Sequence, residues 1–161
     1  MAQQGKVDQY SNLIVHSLTM SSPNTLTFSE LNIGLNLFDK AGILIEKIEY
    51  QPSTGTLDDM TTAADNLNMA LVSSNNISDL SPAQSEIIDQ QIIHRFDAGT
   101  AGNAKFFELP LTRDFSQLGG GGLLVPPKPL YFAAISTGLA AAGIIRFRMY
   151  FRIMKLTEGQ Y

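Results

Sequence analysis

The sequence predicts an all-β protein, built as a sandwich or a barrel. Short apolar stretches separated by turn residues recur along the chain, one stretch near the C-terminus alternates strictly, and no long helical pattern interrupts them. With 161 residues, the chain has the length of one domain and can bury a core without cross-links. We therefore expect a single domain over residues 1–161, with an N-terminal arm at 1–22, a β-sandwich at 23–157 and a C-terminal tail at 158–161.

Three strands are predicted in the first half of the chain. Residues 31–37 carry an aliphatic residue at every second position, which places these side chains on one face of a strand. Residues 43–50 are rich in β-branched residues and form the second candidate, although a helix over 37–48 competes because its apolar residues also fit 3–4 spacing. The third strand, at residues 66–73, places on one face Leu67, Met69 and Leu71.

The middle of the chain contains more loop than strand. Residues 81–84 have the Ser, Pro and Gln spacing of a helix start and predict a short helical turn. Strands are predicted at 87–96 and at 105–111, where a proline ends the second one. The glycine tetrad at 119–122 predicts a flexible loop, and the proline-rich stretch at 125–129 is extended. The strand at 87–96 is expected to turn three side chains inward, namely Ile88, Ile92 and Phe96.

The C-terminal segment holds the clearest strand of the chain. A buried strand at 130–136 and a small-residue turn at 139–143 lead into residues 145–153, which alternate strictly. The apolar face of this last strand consists of Ile145, Phe147, Met149, Phe151 and Ile153. The polar face consists of Arg146, Arg148, Tyr150 and Arg152. The whole chain then has about seven or eight strands.

Charge is sparse in this chain. Charged residues make up 16% of the sequence, against roughly 25% in ordinary globular domains, and the formal net charge is −4. Because charged residues are depleted at the centres of protein interfaces, this composition suits close contact with other protein. The uncharged stretch at 129–145 is short for a membrane helix, and residues 1–10 lack the apolar core of a signal peptide. No membrane partner is expected.

Enzyme sites are poorly supported by the residues present. The glycine tetrad is followed by Leu123 and Leu124, not by the Lys-Ser/Thr pair that a phosphate-binding loop needs. A metal site of the cupin kind needs clustered histidines, whereas His16 and His94, the two in the chain, lie far apart in sequence. We therefore predict no catalytic residue, no cofactor and no small-molecule substrate, and do not expect an enzyme.

Two neighbouring carboxylates allow two interpretations. Asp58 and Asp59 lie next to each other, and adjacent acids in a loop are usually solvated. Alternatively, their oxygens could bind a calcium ion at a contact between subunits.

The arginine row on the last strand also allows two interpretations. Arg146, Arg148 and Arg152 could contact the phosphates of packaged nucleic acid. They could instead pair with acids on neighbouring strands or subunits, or be solvated. Three arginines on an acidic chain make a weak nucleic-acid footprint, which favours the second interpretation.

Three segments resemble capsid proteins of small icosahedral viruses known mostly from environmental sequences. They are LNIGLNLFDKAGILIEKIEYQ at 31–51, NISDLSPAQSEIID at 76–89 and GGGGLLVPPKPLYFAAISTGLAAAGIIRFRMYFRIMKL at 119–156. The C-terminal pattern is the closest: a glycine-rich loop, an apolar pair, prolines, Pro-Leu-Tyr, Ser-Thr-Gly-Leu-Ala-Ala-Ala and then a strand of aromatic and arginine residues.

The resemblance implies a single eight-stranded antiparallel jelly-roll β-sandwich, many copies of which form a shell around the genome. It also implies a virion location after synthesis in the host cytoplasm. One departure concerns the N-terminal arm, which is arginine-rich in many such proteins but carries only Lys6 here, so that the genome type stays open.

The leading hypothesis is therefore a self-assembling capsid subunit whose partners are copies of itself and, non-specifically, nucleic acid. Its expected subunit contacts are the polar arm and the apolar, proline-rich loop, namely Leu123, Leu124, Val125, Pro126 and Pro127. The alternative is a trimeric adhesion or receptor-binding head of a virus or phage. A metal enzyme on the same scaffold is the third hypothesis.

Overall fold

The fold is a β-sandwich of two antiparallel sheets. In the computed structural model, residues 10–35, 40–62, 64–95 and 110–156 are described. Nine strands and one short helix lie within these ranges. In chain order they are β1 (Asn12–Thr19), β2 (Thr27–Leu31), β3 (Ala41–Pro52), α1 (Thr54–Asp58), β4 (Asn66–Val72), β5 (Ile87–His94), β6 (Leu111–Asp114), β7 (Leu123–Val125), β8 (Leu130–Thr137) and β9 (Ile144–Lys155).

Strands distant in sequence are neighbours in each sheet. The first sheet has the order β1-β9-β3-β6, with β7 also paired to β3, and the second has the order β2-β8-β4-β5. Residues 47–50 of β3 pair with β6, whereas residues 43–45 pair with β7. The two short strands therefore follow one another along the same edge of β3, which gives nine strands where eight were predicted.

The core lies between the two sheets and contains a cluster of three aromatic rings. Phe132 of the second sheet stacks on Phe147 of the first with 4.7 Å between ring centroids, and Tyr50 meets Phe147 edge-on at 5.6 Å. All three side chains are fully buried, and each such burial contributes on the order of 2–3 kcal/mol. The alternation predicted for the last strand is confirmed, because its apolar positions point into this core.

A smaller apolar cluster covers the outer face of the second sheet. Leu80, in the segment between β4 and β5, packs on Ala70 and Val72 of β4. The Leu80 carbonyl accepts hydrogen bonds from Asn68 Nδ2 at 3.2 Å and from Gln90 Nε2 at 2.6 Å. This segment is therefore held against the sheet by side chains that the sheet itself presents.

Two glycines allow β7 to lie close against β3. A Cβ at Gly122 would lie 2.7 Å from the Ile45 carbonyl oxygen, and one at Gly42 would lie 2.7 Å from the Val125 carbonyl oxygen. Real Cβ atoms do not approach backbone oxygens so closely, so any side chain at either position would push β7 away. The last residue of the glycine tetrad thus has a packing role.

The N-terminal prediction needs a correction. Most of the described part of the arm predicted at residues 1–22 is strand β1, which pairs with β9 over its full length. The period-two signal is weak there because Leu13, Ile14 and Val15 are consecutive aliphatic residues. Residues 1–9 and the C-terminal tail predicted at 158–161 lie outside the described residues.

Other boundaries also differ from the prediction. The strand expected at 31–37 lies further upstream, because β2 ends at Leu31 and residues 32–35 are not strand. Residues 43–50 belong to β3, so the competing helix at 37–48 is wrong where the structure describes it. Helix α1 was not predicted. The short helical turn predicted at 81–84 is a single turn in which Gln84 N donates to the Ser81 carbonyl. Most of the strand expected at 105–111 lies outside the described residues.

The facing predicted for β5 is confirmed for Ile88, which packs against the main core, and is wrong for Ile92, whereas Phe96 lies outside the described residues. The register between β4 and β5 shifts at Leu71/Val72, which leaves Ile88 without an opposite residue. After this bulge Asp89 and Ile93 are buried, while Ile92 is 43% exposed. The strands predicted at 66–73 and 130–136 are confirmed as β4 and β8.

Candidate functional site

The outer face of the first sheet gathers most of the polar residues singled out from the sequence. We call it the β1–β9–β3 face. Because side chains alternate along a strand, β9 turns its arginines away from the core and towards the same side as the charged residues of β3. Its central residues are Leu13, Val15 and Ser17 of β1; Arg146, Arg148, Tyr150 and Arg152 of β9; and Glu46, Lys47 and Glu49 of β3.

Acids on β3 pair with two of the three arginines. Arg152 Nε lies 2.8 Å from Glu46 Oε1, and the Arg152 side chain is only 26% exposed. Arg148 Nη1 lies 3.9 Å from Glu49 Oε2, at the limit of an ion pair, and half of its side chain is exposed. These contacts fit the interpretation in which the arginine row pairs with neighbouring strands.

Lysine and tyrosine complete the charged part of the face. Lys47 Nζ lies 2.9 Å from Glu49 Oε1 and 4.2 Å from the centroid of the Tyr150 ring. The hydrogen bond to Glu49 raises the pKa of Lys47 above its usual value. Both contacts favour the charged ammonium form of Lys47. Glu49 is shared, because its carboxylate lies near both Lys47 and Arg148.

Arg146 differs from the other two arginines. It is exposed, and no ion-pair partner for it occurs among the residues that the structure describes. Its neighbours across the strands are Ser17 on β1 and Gln51 on β3, which are both uncharged. Of the predicted nucleic-acid-facing residues, Arg146 and half-exposed Arg148 are therefore the accessible cations, and their contact with nucleic acid stays a prediction.

Strand β1 adds exposed aliphatic residues to this face. Leu13 is 51% exposed and Val15 is 59% exposed, and they lie opposite Tyr150 and Arg148. Sequence reasoning missed these residues when it assigned them to an arm. The available signal was the alternation of Ile14, His16 and Leu18, which turn towards the core.

The predicted subunit-contact loop divides between core and surface. Val125 is buried in the core and Leu123 packs against it, whereas Leu124 is 40% exposed and Pro126 is exposed. Leu124 lies opposite Leu44 and so belongs to the outer side of the first sheet. Only part of the predicted set is thus accessible to another subunit.

A cleft of about 650 Å³ lies beside this loop. Its lining includes apolar side chains from residues 31–35 and the prolines of 126–129. Glu30 and Lys128 contribute the charges in its lining. The cleft is thus mainly apolar.

The two predicted calcium ligands have different surroundings. Asp59 Oδ2 accepts hydrogen bonds from the backbone N–H groups of Ala140 and Ala141, both at 2.8 Å, and so holds the loop between β8 and β9. Asp58 is exposed at the end of α1. Within the described ranges, no group of three His, Asp or Glu side chains could hold a metal ion. Calcium binding by this pair stays a prediction.

No protein-family model and no curated protein matches this chain. In the described part of the chain, no helix is long and apolar enough to cross a membrane. Strand order and surface chemistry are therefore the observations that bear on function.

Proposed function

We propose that this protein is a viral capsid subunit, a jelly roll whose copies close into an icosahedral shell around a genome. The single observation that carries the proposal is the strand order. If β6 and β7 count as one interrupted strand, each sheet contains four strands. Numbered one to eight, the strands run 1-8-3-6 in one sheet and 2-7-4-5 in the other, and this order supports the proposed jelly roll.

Surface composition supports an assembling role over that of an isolated protein. The β1–β9–β3 face combines the exposed aliphatic residues Leu13 and Val15 with charges of which Lys47 and Arg152 are paired with acids of β3. The aliphatic residues favour contact with another protein, because their burial removes apolar surface from water. Assembly is thus the proposed function, and the role is structural, without a catalytic centre or cofactor.

Hydrogen bonds at one end of the sandwich support a rigid building block. Asn24 binds the loop between β8 and β9: its Nδ2 donates to the Leu139 carbonyl at 3.0 Å, and its Oδ1 accepts from Leu139 N at 3.1 Å. Met20 N donates to the Gly143 carbonyl at 2.9 Å. Three chain connections at this end are therefore tied together, because Asp59 binds the same loop from the β3–β4 side.

Nucleic acid is the second proposed partner. Arg146 and Arg148 would supply non-specific phosphate contacts, which depend on salt because counterions are released. With a net charge of −4, the chain as a whole does not attract polyanions, so the proposed contact is local.

Electron microscopy and analytical ultracentrifugation of the purified protein test the proposal. Closed particles of uniform diameter are the expected result, and they would support the role of a shell-forming subunit. Discrete trimers would instead favour the adhesion-head alternative. A monomer at high concentration would contradict both, and stoichiometric transition metal in the native protein would favour an enzyme.

A further inference from the structure

The open edges of the two sheets are unequally protected. Within the described residues, the edges of the first sheet are β1 on one side and β6 with β7 on the other, and those of the second sheet are β2 and β5. An edge strand presents unpaired N–H and C=O groups that can pair with another chain. Proteins that avoid such pairing shorten their edge strands, charge them or interrupt them with bulges.

Three of these edges carry such features. Strand β2 has five residues and includes Glu30, while β6 has four and β7 has three. Arg113 and Asp114 add charge to β6. Strand β5 has the bulge at Ile88 and turns the charged side chain of Asp89 inward. Each of these strands is a poor template for a further strand.

Strand β1 has none of these features. It has eight residues, NLIVHSLT, with no proline and no Asp, Glu, Lys or Arg. Its register with β9 is continuous from Asn12 to Thr19, without a bulge. Its titratable residue, His16, is turned inward, where Nε2 lies 2.6 Å from Ser29 Oγ. The open edge is therefore long, regular and uncharged.

The ladder with β9 shows which backbone groups of β1 point to this edge. Met20 N donates to the Gly143 carbonyl at 2.9 Å, at the position that continues the β1–β9 register. Because hydrogen-bonded and non-hydrogen-bonded pairs alternate in an antiparallel ladder, the even-numbered residues bond to β9. The groups directed away from β9 then belong to Leu13, Val15, Ser17 and Thr19.

We propose that β1 pairs antiparallel with β1 of a second copy of this chain about a two-fold axis. The pairing joins the first sheets of two copies into one continuous sheet. The inference rests on the proposed function, because the resulting dimer is taken as one step of shell assembly. Among two-fold registers that place odd-numbered residues opposite odd-numbered residues, the two longest centre on Val15 and on His16. Both pair the outward backbone groups with each other, forming about six to eight hydrogen bonds.

The chemistry of the strand favours a copy of itself as the occupant. Across a two-fold axis the strand faces its own reversed sequence, and since β1 has no formal charge, no like charges oppose one another. Leu13 and Val15 of both copies form one aliphatic stripe, which removes part of their exposed surface from water. A strongly charged partner strand would find no opposite charge on β1.

The arginine rows do not oppose this arrangement. In the joined sheet, β9 of one copy is separated from β9 of the other by three strand spacings, about 14 Å. This separation exceeds the Debye length of about 8 Å at physiological salt, so repulsion between the rows is screened. Pairing of Arg148 with Glu49 and of Arg152 with Glu46 reduces it further.

A charged side chain at the axis is the direct test. In Val15→Lys and Val15→Glu, two like charges meet near the axis, and the concentration at half-dissociation should rise at least tenfold in sedimentation velocity. Val15 lies opposite Arg148, so the glutamate variant also keeps a favourable pair within the subunit. Ile92→Lys is the matched control, an exposed aliphatic position on the edge strand of the other sheet, and should assemble like the wild type.

Two further measurements identify the edge itself. Amide hydrogens of Leu13, Val15 and Ser17 should be protected from exchange in assembled wild type and unprotected in Val15→Glu. The chain has no cysteine, so a cross-link in Val15→Cys reports on the register centred on Val15, in which the two copies of residue 15 lie opposite one another, with Ile92→Cys as the control. Thermal unfolding of each variant checks that the subunit itself stays folded.

The outcomes separate this inference from the proposed function. Normal shells from both charged Val15 variants would overturn the inference and leave the capsid proposal intact. Wild type that stops at a dimer, together with a Val15→Cys dimer that is cross-linked through position 15, would support the inference and overturn the capsid proposal. Protected β1 amides in a monomer would mean that the edge is covered within the chain, which overturns the inference.

Discussion

The hydroxyl of Tyr50 donates a hydrogen bond to Asp89 Oδ2 at 2.9 Å, which connects the two sheets through the core. Arg113 Nε donates to the other carboxylate oxygen of Asp89 at 3.0 Å. Burial, together with the negative charge of Asp89, raises the pKa of Tyr50 well above its usual value. At the opposite side of the sandwich, His16 and Ser29 make a second polar link between the sheets. The link between His16 and Ser29 joins the edge strands β1 and β2, and the contact of Arg113 with Asp89 joins the edge strands β6 and β5.

Removal of the Asp89 carboxylate should destabilise the sandwich. Asp89→Ala leaves the buried Tyr50 hydroxyl without an acceptor, which should lower the free energy of unfolding by about 2–3 kcal/mol. Asp89→Asn keeps an acceptor and should cost less. Urea unfolding of the dissociated protein measures both. The control is Asp58→Ala, at an exposed carboxylate, and an equal effect of the two alanine variants would contradict a structural role for Asp89.

Histidine 16 should make stability depend on pH. Burial lowers the pKa of His16 below its usual value of 6.5, so the unfolded chain binds this proton more readily than the folded chain. The stabilising contribution is therefore present above about pH 6.5 and is lost as the pH falls through 6.5 towards the lower folded pKa. Thermal unfolding measured from about pH 7.5 down to about pH 5 should show this loss of stability. His16→Gln should remove this part of the pH dependence, whereas His94→Gln, at an exposed position, should retain it.

Gly138 should tolerate no side chain. Its φ of +82° is costly for other residues, and a Cβ would overlap the carboxylate of Asp65. Asp65 accepts hydrogen bonds from Thr61 N at 2.6 Å and Thr62 N at 2.7 Å, and the bonds from Thr62 hold the pKa of Asp65 below its usual value. Gly138→Ala should therefore lower the unfolding free energy by at least about 1 kcal/mol.

A matched glycine tests this explanation. Gly119 has open space around its Cβ position, so Gly119→Ala should change the unfolding free energy by less than about 0.5 kcal/mol. A similar loss in both variants would show that the effect comes from loop flexibility and not from the contact with Asp65.

Strands were predictable where one face is wholly apolar and the other wholly polar. β9 meets this condition, since its core face holds Phe147 and Met149 and its outer face holds arginines. β1 does not, because Val15 faces solvent and Ile14 faces the core. If β1 is an assembly edge, Leu13 and Val15 are aliphatic because they contact a second subunit. A pattern that expects polar residues on the solvent side of a strand does not detect such a strand.

The candidate site was only partly predictable for a related reason. The arginine row follows from alternation within one strand, whereas its pairing with Glu46 and Glu49 depends on which strand lies beside β9. In the same way, Asp89 is buried because Tyr50 and Arg113 approach it from strands of the other sheet. Such contacts depend on strand order, which the sequence pattern does not encode locally.

The exposed arginines should account for any binding of nucleic acid by the β1–β9–β3 face. Arg146→Ala should weaken binding of single-stranded oligo-dT and reduce the slope of log K against log salt by about 0.7, the value for one lost phosphate contact. Fluorescence anisotropy at several salt concentrations measures this slope. Arg152→Ala is the matched control, because its guanidinium is already paired with Glu46 and is mostly buried, so the slope should not change. An equal decrease in both variants would mean that the row acts through the subunit's net charge, since either substitution removes one positive charge, and not through a phosphate bound at Arg146.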